Sequence, residues 1–488
     1  MTAARRAFVM VWDGMRPDLV SPELTPTLWA LAARGVRFSD SHAVFPTVTR
    51  INSATLATGC LPSGHGIVGN SLYSPAIDPS GPFNTGDHRA LEALRRIRGG
   101  RLLPCDTLAD RVARAGGRTV VVSTGSPGSA LLCHPRVRDW PNDRLLHRAM
   151  AVPDDGFAPI VERFGPIPEQ TIPNTEQNAY FARATAEYVL PELDPRLLIF
   201  WHTDPDKTQH ARGFGHPDSL ASIRDADANL GTILATIDAC GLAAETAVAV
   251  VSDHGYATID PLTEPRAAFA GTDLLDALAD RHVVLAGNGG ALFAYAPSGD
   301  APGGDQLIRR VARAFQAWEH GGPVFVGTER GANLPPGTLP LDAVGISGDL
   351  APDVVCALDW DDRANAYGYA GRSAGLDPKI VASHGGISSW EVRNTFVLAG
   401  AGVKQGLVDA VPAGNVDLAP TLLHLLGLDP TPGQHGRVVA EALAGGPDPA
   451  TLHVEREILT AEHGAYRQGI RRSSVAGHRY LDYGWRGG

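Results

Sequence analysis

Nothing in this 488-residue sequence approaches the unbroken run of about 18 apolar residues that a membrane-spanning helix requires. Cysteine is scarce. Its five copies (Cys60, Cys105, Cys133, Cys240 and Cys356) are odd in number, scattered and without a C-x-x-C pair, which argues against a disulfide framework or a thiolate metal cluster. Positive charge is also short: the net charge is −11 and the pI about 5.8, so bulk attraction to a nucleic-acid scaffold or an anionic membrane is not expected. A small anionic substrate stays open, because a local cation can override the net charge. The apolar run Ala7 to Trp12 is too short for a secretory signal and is stopped by Asp13. Together these absences lead to the expectation of a cytoplasmic protein with reduced thiols. They leave homo-oligomerisation undecided.

What is present suits a large globular fold. Hydrophobic residues make up 44% and charged residues 19%, and the 55 glycines and 37 prolines point to many turns rather than a long coiled coil. Short apolar runs recur at Phe8–Trp12, Thr119–Val122, Leu197–Trp201, Ala247–Val251 and Thr395–Leu398. They are continuous rather than alternating, as strands buried on both faces of a parallel sheet should be. Helical patterns lie between them, starting at Thr25-Pro26, over Asp218 to Asp238, and from Asp417 to Leu426. The expected architecture is α/β: a doubly wound, mostly parallel central sheet flanked by helices. Residues 262–380 break the rhythm and are expected to form an inserted α+β cap on a catalytic domain made of 1–261 and 381–488. Residues 72–104 and 126–175 are expected to be long loops.

In such a sheet, ligands bind beyond the carboxyl ends of the strands. Asp13-Gly14 follows the first run, His202 to His210 the third, and Ser252-Asp253-His254-Gly255 the fourth, while Ser383-His384-Gly385-Gly386 precedes the last. Carboxylates with imidazoles and no clustered cysteine form the ligand set of a catalytic divalent ion. Each site alone is weak, since a strand-end Asp is usually a turn or capping residue. Four such sites converging on one edge are much harder to explain that way.

Further stretches carry a resemblance. Asp13-Gly14, the run Phe45-Pro46-Thr47-Val48-Thr49-Arg50-Ile51-Asn52-Ser53, Gly66-Ile67-Val68-Gly69-Asn70, Pro205-Asp206 with His210, Ser252-Asp253-His254-Gly255, His384-Gly385 and Asp417 to Gly427 occur in one order. In this the chain resembles the alkaline phosphatase superfamily, and within it the nucleotide pyrophosphatase/phosphodiesterase branch. The resemblance implies a phosphoric ester hydrolase with two divalent ions, zinc or else manganese. Asp13, Thr49, Asp253 and His254 would hold one ion, and Asp206, His210 and His384 the other. Thr49 would be the nucleophile and Asn70 would bind a phosphoryl oxygen. Asp204 competes with Asp206, which is preferred because it follows proline and lies four residues before His210. His65, His202 and His216 are read as structural.

Elementary chemistry agrees. Threonine needs activation, no histidine neighbours Thr49 in the sequence, and Thr49 precedes a helical pattern whose N-terminus favours an anion. Arg50 stands where nucleotide-cleaving relatives often carry an aromatic residue, so it could bind a second phosphate or a carboxylate, or form an ordinary salt bridge. The substrate expected is a small phosphate diester or related anionic ester. A phosphomonoesterase, a phosphonoacetate hydrolase-like enzyme and an inactive metal-dependent binder of phosphorylated ligands remain as alternatives. A sulfatase is disfavoured because threonine cannot be converted to formylglycine.

Overall fold

A computed structural model describes residues 4–297, 304–328 and 334–487. Its centre is a nine-stranded sheet made of β1 (Arg6–Trp12), β2 (Gly35–Phe38), β3 (Thr119–Ser123), β4 (Arg144–His147), β5 (Met150–Val152), β6 (Leu197–His202), β7 (Thr246–Val251), β8 (Phe396–Gly400) and β9 (Leu407–Asp409). The spatial order is β9-β2-β8-β7-β1-β6-β3-β4-β5. The alternation of faces explains the continuous apolar runs. Ala7, Val9 and Val11 of β1 join one core, with Val121, Ile199 and Leu422, while Phe8, Met10 and Trp12 join the other, with Val122, Phe200 and Leu230. Both faces are covered, so neither parity of residue can be polar. β8 departs from expectation: it runs antiparallel to both β7 and β2. An apolar run does not encode strand direction.

The two stretches expected to be loops hold regular structure. His88–Ile97 is a helix capped by Asp87, burying Leu91 and Leu94 and turning its arginines outward. Residues 126–175 contribute a helix at Pro127–Cys133 and the two strands β4 and β5, which extend the main sheet. Their Pro, Gly and Arg content hid elements of only three to ten residues.

Within 262–380, strands 284–287, 291–295, 321–326, 339–340 and 354–358 form a second sheet, packed by the helix Gly304–Ala317. Residues 454–487 fold as a three-stranded antiparallel meander with no counterpart in the sequence reading. Gln468 in its middle strand ties it to the second sheet, donating from Nε2 to the carbonyls of Val324 (2.9 Å) and Gly337 (2.8 Å). The meander escaped notice because its first strand is largely exposed and offers no apolar run.

Candidate active site

β1, β6 and β7 are parallel and adjacent, so their carboxyl ends open on one edge of the sheet. Asp13 leaves β1 there, and Asp253 and His254 leave β7. Asp206 opens helix α2 (Asp206–Arg212), and His210 lies one turn along it. The spacing of four puts both on one face. His384 follows the short strand Ala382–Ser383. Thr49 is the first residue of helix α1 (Thr49–Thr58), where backbone N–H groups lack intrahelical partners.

Two triads result, Asp13/Asp253/His254 and Asp206/His210/His384, each with its donor atoms within 4.8 Å of one another. The imidazoles are held from behind. Nδ1 of His210 lies 2.8 Å from the Ala382 carbonyl, that of His254 2.9 Å from the Gly255 carbonyl, and that of His384 2.8 Å from the Thr47 carbonyl. A carbonyl only accepts, so each Nδ1 carries a proton, which leaves Nε2 as the nitrogen available to a metal. The three Nε2 atoms face carboxylate oxygens. His210 and His384 Nε2 both lie 3.3 Å from Asp206 Oδ1, and His254 Nε2 lies 3.2 Å from Asp253 Oδ2 and 3.5 Å from Asp13 Oδ1. The rings of His254 and His384 stack at 3.5 Å between the triads.

These oxygens are the ones with nothing to bind. Asp13 Oδ1, Asp206 Oδ1 and Asp253 Oδ2 are buried without a hydrogen-bond partner. The opposite oxygens of two of them are engaged: Asp13 Oδ2 accepts from Trp201 Nε1 (2.9 Å), and Asp253 Oδ1 accepts from the N–H groups of Gly14 (3.0 Å) and His254 (3.1 Å). Buried carboxylate oxygens without a hydrogen-bond partner are unfavourable unless a cation lies beside them. Ligand atoms about 2.0–2.1 Å from one tetrahedral ion are separated by about 3.3 Å, the spacing observed here. The donor set fits a divalent ion at each triad. Burial, with Asp253 and Asp206 adding to it, pushes the Asp13 carboxyl well above its ordinary range, a crowding that cations would relieve. Burial and the neighbouring His254 lower His384 to about 4, which keeps it a neutral donor.

Thr49 Oγ1 lies 3.4 Å from His254 Nε2, so a histidine does neighbour it in space although none does in sequence. That nitrogen also faces the Asp13/Asp253 oxygens, which makes it a shared ligand atom more than a free base. Asn70 Oδ1 accepts the Arg50 backbone N–H at 3.0 Å, which turns Nδ2 outward as a donor. Asn288, which sequence reasoning missed, fixes this loop: its Oδ1 accepts from the N–H groups of Asn70 (2.7 Å) and Ser71 (3.0 Å). No local pattern marks an asparagine reaching in from the second sheet. Trp201 was visible as the end of a buried strand, but its hold on Asp13 was not.

The rival residues are otherwise occupied. Asp204 Oδ1 accepts from Thr208 N and Oγ1, and its Oδ2 from Asn174 N and Asn178 Nδ2, which leaves little for a metal. His202 lies between the Asp204 carbonyl and Asn229, and His216 caps the helix Pro217–Ala239. Asp417 is held by the N–H groups of Gly414 and Arg437 and by the Tyr480 hydroxyl. His65 is buried against Thr55 Oγ1, and burial, reinforced by His435 and Arg98, pushes it down to about 3 from 6.5. The unfolded chain therefore binds this proton between those values while the folded chain does not, so stability falls as pH drops below 6.5. Thermal unfolding should show that His65→Gln removes about 2 kcal/mol of the wild-type loss between about pH 6.5 and about 4.5.

Two clefts meet at the triads. One, of about 490 Å³, is lined by Arg50, Asn70, His210 and His384 together with Asn288 and Asp377. The other, of about 570 Å³, is lined by Asp13, Thr49, Arg50, Arg148, Asp206 and Lys207 among others.

Comparison with known proteins gives a consistent result. Residues 7–385 match the family model for type I phosphodiesterase / nucleotide pyrophosphatase. Human ectonucleotide pyrophosphatase/phosphodiesterase family member 7 is 23% identical over 255 residues, covering 52% of this chain and 48% of that protein. Human family member 5 is 23% identical over 254 residues, covering 51% of this chain and 45% of that protein. The chain thus spans about half the length of these curated relatives. Among solved structures, murine ectonucleotide pyrophosphatase/phosphodiesterase 5, an inactive threonine-to-alanine variant in complex with AMP, superposes with a TM-score of 0.60 at 17% identity, covering 90% of this chain and 100% of that one. The human counterpart gives 0.61 at 18% identity, with 88% and 96% covered. At those identities the likeness concerns the fold, an alkaline phosphatase-like one. No helix among the described residues is long and apolar enough to cross a membrane.

Proposed function

The chain belongs to the type I phosphodiesterase / nucleotide pyrophosphatase family, and from that premise we propose that it hydrolyses small phosphate diesters through a covalent intermediate on Thr49. The observation that carries this reading is the pair of triads whose Nε2 atoms and orphaned carboxylate oxygens converge beside Thr49 Oγ1. The structural neighbour inactivated by a threonine-to-alanine change, with AMP bound, supports it.

Divalent ions, zinc or manganese, held by Asp13, Thr49, Asp253 and His254 and by Asp206, His210 and His384, would supply ionisation of the nucleophile and neutralisation of the leaving oxygen. The chain's own residues do the rest. Thr49 Oγ1 attacks phosphorus, a new Oγ1–P bond forms, and the P–O bond to the leaving alcohol breaks. Water then attacks phosphorus, and the Oγ1–P bond breaks to return the hydroxyl and release a phosphate monoester. The N-terminus of α1 favours the threonine alkoxide and the phosphoryl oxygens. Asn70 Nδ2 donates to a non-bridging oxygen whose charge grows in the transition state. Asn70→Asp keeps the shape and replaces the donor by a charge that repels phosphate. It is expected to lower kcat by about 10²-fold or more with metal content unchanged, measured by steady-state kinetics and elemental analysis.

Turnover of bis-p-nitrophenyl phosphate against p-nitrophenyl phosphate by the zinc-loaded protein tests the reading. A diester preference of about tenfold or more is expected. A monoester preference would make the enzyme a phosphatase, and no turnover of either would defeat the phosphate ester reading.

A further inference from the structure

The 570 Å³ cleft beside Thr49 has an uneven charge inventory. Its carboxylates, Asp13 and Asp206, both belong to the triads. Every other charged side chain on its lining is a cation: Arg50, Arg148 and Lys207. Among the described residues, neither Arg50 nor Lys207 has a carboxylate within ion-pair distance, and Arg50 Nε is buried with no hydrogen-bond partner. Arg148 pairs with Glu169 at 2.8 Å, but Glu169 is 84% exposed and screened by water.

The Arg50 guanidinium passes close to Gly86. A Cβ at Gly86 would lie 2.5 Å from Arg50 Nη2, so the missing side chain at 86 makes room for it. Lys207 follows Asp206 directly in α2, half-buried on the cleft wall. A diester carries one negative charge at the reacting phosphorus, which the triads and Asn70 already address. It would leave Arg50 and Lys207 with no partner at ion-pair distance and only the more distant triad carboxylates as counter-charge, although Arg50 Nε is buried.

We propose that Arg50 and Lys207, with Arg148 at the rim, form a subsite for a second acidic group on the substrate, so that the preferred substrate is an ester carrying a carboxylate or a further phosphate beside the scissile phosphoryl group. This rests on the phosphodiesterase reading above. Arg50 offers the planar fork that pairs with such a group, and Lys207 a point charge.

Three p-nitrophenyl diesters sharing one leaving group provide the test, with ethanol, glycolate or 2-phosphoethanol as the second alcohol. In the zinc-loaded wild type, an anionic arm should raise kcat/KM about tenfold or more over the ethyl arm. That ratio should collapse in Arg50→Gln and Lys207→Gln. Because it is internal to each variant, a general loss of folded enzyme does not move it. The larger gain of the two anionic arms tells carboxylate from phosphate. A wild-type ratio at or below one, or a ratio unmoved in both variants, overturns the subsite while leaving the phosphodiesterase reading intact. If no diester is turned over, that reading fails, and calorimetric titration in zinc buffer decides the subsite on its own. Phosphoglycolate binding more tightly than methyl phosphate, with the advantage lost in the variants, upholds it; equal binding overturns it.

Discussion

Replacing Thr49 by alanine is expected to lower kcat for a diester by on the order of 10⁴-fold or more while leaving the protein folded and metal-replete. The size follows because, on the proposed reading, Thr49 Oγ1 forms the covalent intermediate, and neither triad contains another hydroxyl to replace it. The small structural cost follows from what Thr49 touches. Its side chain is buried, yet its one hydrogen-bonding contact is the long 3.4 Å approach to His254 Nε2. The cap of α1 does not depend on it, and Ser53 Oγ bonds to the Thr49 carbonyl, which alanine retains. Thermal unfolding should therefore move by less than about 1 kcal/mol. A variant retaining a tenth of wild-type turnover would mean that water is activated directly at the triads and that Thr49 is a bystander.

Stripping the metal should have the second-largest effect. Chelation followed by dialysis is expected to reduce turnover to background, and zinc or manganese to restore it, with about two ions per chain by elemental analysis. Stability should move in parallel, because ions that bind only the folded chain stabilise it by about 2.7 kcal/mol at a hundredfold excess over Kd. The triads also make the loss divisible. Asp206→Asn removes the shared oxygen facing His210 and His384 and should lower the content to about one ion, whereas Asp13→Asn and Asp253→Asn should affect the other. Full activity in a sample shown to be metal-free would defeat the two-ion site.

Much of this was legible in the sequence because strand ends are legible. A buried strand in a two-faced sheet must be apolar throughout, so the polar residues just after it mark the edge of the sheet; Asp13 and the pair Ser252-Asp253 stand there. Asp206 needed more, since Asp204 lies two residues away with the same chemistry. The structure separates them by hydrogen bonding: Asp204 is spoken for by Thr208, Asn174 and Asn178, and Asp206 Oδ1 is not. Short elements were the blind spot. β4 and β5 span four and three residues, too few for periodicity to register. The direction of β8 and the reach of Asn288 are long-range facts with no local imprint. The same holds for Arg50, whose importance could be suspected from its place after Thr49, but whose company with Lys207 and Arg148 depends on three separate segments meeting.

The most direct test of the central claim is rapid acid quenching of the zinc-loaded enzyme with bis-p-nitrophenyl phosphate, followed by mass spectrometry of its peptides. A p-nitrophenyl phosphoryl group on Thr49, forming before the steady state and absent from Thr49→Ala, is the expected result. An adduct on another residue, or undiminished turnover in Thr49→Ala, would contradict it.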